Sequence, residues 1–93
     1  MRAHLSALDD SAVRAATDAE RAFLEGLGGG CLAPIAAHGA VAGDTLALDG
    51  LVASEDGRQV VRVSRRGSVA EARALGLQLA DDALAQGARE LLA

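Results

Sequence analysis

The sequence predicts an α+β domain, a three-stranded antiparallel sheet with two to three helices packed on one face. Three observations lead there. An apolar stripe at helical spacing, Ala19, Ala22, Phe23 and Leu27, ends at the triple glycine Gly28-Gly29-Gly30. Extended segments follow, separated by the turn pairs Gly43-Asp44 and Asp56-Gly57. A second helical stripe, Ala72, Leu75, Leu79 and Ala83, closes the pattern. Ninety-three residues, 51% of them apolar, can build one such core and not two.

Residues 1–10 (MRAHLSALDD) have no partner element nearby and are expected to be a linker remnant from an upstream domain, with the domain proper at 11–93. Residues 11–16 read as a short helix capped by Asp10. Thr17-Asp18-Ala19-Glu20 has the form of a capping box, in which hydroxyl and carboxylate each satisfy a free backbone donor, so the main first helix is expected to start there. Asp18, Arg21 and Glu25 lie off its apolar stripe, and three successive glycines end it by Gly28. Pro34 then discourages helix, and residues 35–42 (IAAHGAVA) read as a first strand. Gly43 supplies the positive φ of a type II′ hairpin turn. Residues 45–54 place Leu46, Leu48 and Val52 on one face. In residues 59–66, Val61 and Val63 alternate with Arg62 and Ser64, one face buried and one polar. Ser68-Val69-Ala70-Glu71 is a second capping box, opening a long helix that runs to Gln86 with Gly87 as its left-handed terminator. Residues 87–92 read as a final turn or the start of an edge strand.

The apolar content is mostly Ala, Leu and Val, with Phe23 the single aromatic residue. Such a core is thin, and places the domain toward the low end of the roughly 5 to 15 kcal/mol common for small proteins. A net charge of −4 and a pI near 4.9 argue against nucleic acid and anionic membranes as partners. No apolar run is long enough to cross a bilayer, and the N-terminus lacks the basic-then-apolar order of a secretory signal. One unpaired cysteine fits a reducing compartment, so a cytoplasmic location is expected.

Cys31 is the only cysteine, placed directly after the glycines and shortly before Pro34, the only proline. A lone thiol closes no intramolecular disulfide. It is either an inert buried side chain or a nucleophile and attachment point, and glycines beside it leave room for something bulky to approach. The run GLGGGC (26–31) follows a helix instead of a strand and lacks a Gly-Lys-Ser/Thr ending, which excludes a P-loop, and the dinucleotide fingerprint fails at Cys31. Cys31 and His38 are too few ligands for structural zinc. A Cys-His nucleophile pair would need an orienting group and a substrate cleft. His38 reads as a half-buried structural residue of the first strand. Arg62, Arg65 and Arg66 offer cations to an anionic group or an acidic partner face, or form a solvated edge. On residues alone two classes stay open: an attachment or nucleophile site at Cys31, and a stand-alone protein-interaction module whose apolar sheet face binds a partner and whose cysteine is structural.

One resemblance separates them. Glu20-Arg21-Ala22-Phe23-Leu24, Leu27, Gly29-Gly30-Cys31, Pro34-Ile35 and Ala37-His38 resemble the segment around the cofactor-attachment cysteine of the porphobilinogen deaminase (hydroxymethylbilane synthase) family. The likeness continues through Gly43-Asp44, Leu51-Val52-Ala53-Ser54, Asp56-Gly57, Arg65-Arg66-Gly67 and Gly87-Ala88-Arg89-Glu90-Leu91, covering about residues 9–93. It implies the third, C-terminal domain of a three-domain transferase that joins four porphobilinogen units head to tail in tetrapyrrole and heme biosynthesis, releasing ammonia from each. It further implies that Cys31 is the cofactor-binding residue, holding a dipyrromethane primer through a thioether. Loss of ammonia leaves an electrophilic carbon to which a soft thiolate adds. The family's catalytic aspartate and most of its carboxylate-pairing arginines have no counterpart here. The resemblance therefore implies no catalytic residue in this chain, an inactive isolated fragment without cofactor, and the two upstream domains as its partners, with pyrrole substrate met only in the full-length enzyme; the shortage of ligands beside Cys31 and His38 adds the expectation of no metal.

Overall fold

The computed structural model describes residues 2–28 and 34–92. A long helix, α1 (Arg2–Gly26), leads into a meander of three strands, β1 (Ile35–Ala42), β2 (Thr45–Ala53) and β3 (Val60–Ser68). A single 3₁₀ turn (Val69–Glu71) opens α2 (Ala72–Ala83). A wide turn (Leu84–Ala88) then hands the chain to a short α3 (Arg89–Leu92). The sheet order is β1-β2-β3, antiparallel throughout, as the sequence predicts.

Turn chemistry sets the strand lengths. Gly43 has φ +63° at the first loop position of the β1–β2 hairpin, and Gly57 has φ +75° between β2 and β3. Around Gly57, Ser54 Oγ donates to Asp56 Oδ1 (2.6 Å), and Asp56 Oδ1 accepts from the Arg58 N–H (3.0 Å). Both bonds hold the Asp56 carboxyl below its ordinary range, the hydroxyl contributing most. Gly87 takes φ +114° and stops the helical path after α2, as expected.

Every second residue of β2 faces the helices: Leu46, Leu48, Gly50 and Val52 are buried. Val63 of β3 joins them, with Ile35, Ala37, Val41 and Val61 half-buried at the margins. Ala19, Ala22, Phe23 and Leu27 descend from α1, and Ala72, Leu75, Leu79 and Ala83 from α2, as the two stripes require. The helices lie side by side, α1 over β1 and α2 over β3, both reaching β2. Among the described residues no helix is long and apolar enough to cross a membrane.

Two helix starts differ from expectation. Residues 11–16 are not a separate helix, and Thr17-Asp18-Ala19-Glu20 opens nothing, because α1 runs unbroken from Arg2. The segment holds no Gly or Pro before Gly26, so the weak helix formers Asp9, Asp10, Ser11 and Thr17 cost only tenths of a kcal/mol each. At the second box, Ser68 Oγ does accept from the Ala70 N–H (3.2 Å), but Glu71 makes no return bond, and the cap serves a 3₁₀ turn before α2 begins.

Candidate functional site

Cys31, the predicted attachment residue, lies outside the described residues, and its two stems define where it attaches to the fold. On the incoming side the Leu27 N–H still reaches the Phe23 carbonyl (3.2 Å), and the Gly28 N–H reaches that of Glu25 (2.9 Å). Gly28 has φ +97°, which turns the chain out of the helix. On the outgoing side Pro34 is solvent-exposed, and its carbonyl accepts from the Ala53 N–H (2.9 Å), adding one rung beyond β1 to the ladder. Both stems are thus tied to regular structure, at the end of the sheet where β1 begins and β2 finishes.

The outer sheet face, away from the helices, carries the other candidates. Cross-strand register puts Ala36, Leu51 and Arg62 in one row, His38, Asp49 and Ser64 in the next, and Ala40, Ala47 and Arg66 in a third. The first two rows line a shallow hollow of about 400 Å³. His38 is exposed, correcting the half-buried position expected for it: its side chain falls on the strand face that the helices leave open. Asp49 stands between His38 and Ser64, whereas nucleophilic catalysis needs the imidazole in the middle, so this row is not a triad. Among the described residues no group of three or more His, Cys, Asp or Glu could hold a metal ion.

The three arginines divide between faces. Arg65 points to the helix side and makes a two-pronged pair with Asp82 of α2, its Nε at 2.5 Å and Nη2 at 3.2 Å from the carboxylate oxygens. The hydrogen bond from the Arg65 guanidinium holds the Asp82 carboxyl below its ordinary range against the opposing effect of burial, and Asp82 in turn raises Arg65. Arg62 and Arg66 stay on the outer face. Arg73 pairs with Glu25 across the two helices at 3.0 Å. One contact between elements was not visible in sequence: Glu20, whose spacing suggests a cap, instead accepts the Gly39 N–H of β1 (2.6 Å).

With this geometry in place, comparison with known proteins is decisive. The model of the porphobilinogen deaminase C-terminal domain matches residues 15–85, from the middle of α1 past the end of α2. The chain belongs to this family. It is 51% identical over 88 residues to the porphobilinogen deaminase of Trichlorobacter lovleyi, covering 95% of this chain and 28% of that protein. The Bordetella parapertussis protein of the same name is 48% identical across 100% of this chain and 30% of its own length. The Thermus thermophilus one is 54% identical over 81% of this chain and 25% of its own length. The chain thus spans three tenths or less of these relatives. Within the family match, the helix–meander–helix order brings the stems of the Cys31 segment to one end of the sheet, and the outer face remains open beside them.

Proposed function

We propose that this chain is the cofactor-anchoring C-terminal domain of a porphobilinogen deaminase, a cytoplasmic transferase of tetrapyrrole and heme biosynthesis. Cys31 would hold dipyrromethane through a thioether. The observation that carries the reading is the family match spanning 15–85, with the domain's one thiol inside it between Gly29-Gly30 and Pro34-Ile35. The donor chemistry fits: a single soft sulfur forms a thioether that thiol exchange does not cleave. The anchored stems fit as well, since a tether point needs a fixed base. The bound group would supply the primer on which pyrrole units are joined. This chain's part is to hold that primer, while the catalytic aspartate and most of the carboxylate-pairing arginines would belong to the two upstream domains, its partners. Residues 1–10 would lead in from those domains.

The test is intact mass after mixing the chain with the other two domains and porphobilinogen. A dipyrromethane adduct on the wild type that is missing from Cys31→Ser is expected, and no adduct under any condition overturns the reading. The chain alone is expected to form no product from porphobilinogen, and steady turnover by the purified chain would contradict the division of labour. Native alkylation addresses the interaction-module reading, under which Cys31 reacts slowly.

A further inference from the structure

We propose that the open edge of β3 binds an extended acidic segment of a partner protein, which adds a fourth strand beside Arg62, Ser64 and Arg66. Two bonds beyond the ends of the β2–β3 ladder fix its phase. The Ser54 N–H meets the Gln59 carbonyl (2.8 Å) and the Val69 N–H meets the Asp44 carbonyl (3.1 Å), so residues 61, 63, 65 and 67 exchange their bonds with β2. Residues 62, 64 and 66 turn both main-chain groups outward, and among the described residues their N–H groups have no partner. Their side chains are exposed on the outer face. Arg62 and Arg66 make no ion pair among the described residues, whereas Arg58, Arg65 and Arg73 each make one. The other edge of the sheet is not equivalent: at its centre the Gly39 N–H of β1 is already bonded to Glu20.

What flanks the edge defines the occupant. A strand antiparallel to β3 sets one residue opposite Ser64, and the residues two before and two after it opposite Arg66 and Arg62, all on the outer face. Carboxylates at those two places meet the uncompensated guanidiniums. On the helix side, a hollow lies toward each end of the strand, with the Arg65–Asp82 pair between them. One, of about 140 Å³, is lined by Gly67, Ala74 and Leu75, and the other, of about 250 Å³, by Val60, Val61 and Leu91. Glu71 borders the first and Glu90 the second, so the side chains that enter from opposite Gly67 and Val61 must be apolar and not acidic. Main-chain bonds then supply affinity, and alternating side chains select the sequence. A second copy does not fit this edge. Pairing β3 with β3 about a two-fold axis puts both α2 helices on one face at the strand spacing of about 4.8 Å, where packed helices need about 8–10 Å. A lone strand brings no helix.

The blocked peptide Leu-Glu-Ala-Thr-Ala-Glu-Leu has this pattern, and titrating it into the chain under amide hydrogen exchange tests the proposal. The amides of Arg62, Ser64 and Arg66 are expected to gain protection as peptide is added, while those of Val63 and Arg65, already bonded to β2, and of Gly39 stay as they were. Affinity is expected to fall about tenfold from low to high salt, because the ion pairs lie at an exposed edge. The same peptide with both glutamates replaced by lysine is expected not to bind. Arg62→Glu combined with Arg66→Glu is expected to reverse that preference, taking the lysine peptide and refusing the glutamate one. No protection at β3 even at millimolar glutamate peptide overturns the proposal, as does equal binding of the two peptides by the wild type or protection that appears at β1 instead. Protection of the β3 amides that rises with protein concentration in the absence of peptide also overturns it, since the occupant is then a second copy. Should the double variant fail to fold, the two peptides on the wild type decide the matter.

Discussion

Phe23 fills the space beneath Gly50, and each residue explains the other. The ring is fully buried, and a Cβ on Gly50 would lie 2.7 Å from its Cε1. Phe23→Ala is expected to cost about 3–5 kcal/mol and Gly50→Ala about 1–3 kcal/mol, both read from urea unfolding. Phe23→Leu combined with Gly50→Ala should lose less than the two single changes added together, because the methyl enters volume the ring has left. Strict additivity would refute the coupling. Asp82 gives a second residue-level expectation. Its carboxyl titrates below the ordinary range because of Arg65, so its stabilising effect is complete above the unfolded-state value and is lost as pH falls through the lower folded-state one. The stability gap between wild type and Asp82→Asn should therefore be flat above about pH 5 and close below about pH 4. A gap that widens in acid would reverse the sign. Arg65, raised further above the ordinary guanidinium range by Asp82, contributes no change in this window. The buried stripes were readable from spacing alone, whereas the Glu20–Gly39 bond spans nineteen positions and depends on how α1 crosses β1.

Elements meet through small residues as much as large ones. Gly76 of α2 faces α1 so closely that a Cβ there would overlap the Ala19 carbonyl oxygen and lie 2.7 Å from the Ala22 Cβ. Intrinsic propensity favours Gly→Ala inside a helix by about 1 kcal/mol. At Gly76 the clash with backbone should prevail, making Gly76→Ala destabilising by about 1–3 kcal/mol in thermal or urea unfolding. A stabilised variant would mean that the helices separate easily. The strands were legible because turn glycines bracket them: β1 runs over the predicted residues, and β2 and β3 differ only at their ends. Helix starts were less legible. A capping box is a local signal, and at Thr17 it lost to a long Ala-rich run whose C-terminal half packs on the sheet and α2.

For the whole molecule, the decisive property is that one core cluster draws on every layer. Ala19, Phe23 and Leu27 of α1 or its end meet Leu46, Leu48 and Val52 of β2, Val63 of β3, and Leu75 and Leu79 of α2, with Ala88 closing the wide turn. Neither helix can leave without uncovering β2, the central strand that both of them touch. The α+β class followed from periodicity because each face has its own pattern, but the role proposed for Cys31 did not, since a thiol's reactivity depends on spatial neighbours that spacing along the chain does not specify. The shared core predicts one cooperative transition for a domain of this size. Helix loss by far-ultraviolet circular dichroism and loss of amide protection at Leu48 should coincide along a urea titration. The slope should be that of a small protein, about 1–1.5 kcal/mol per molar. A separate, earlier loss of α1 signal with the sheet still protected would show that the helix layer is not part of the same folding unit. In that case the fixed base assumed for the Cys31 tether would rest on the Pro34–Ala53 rung alone.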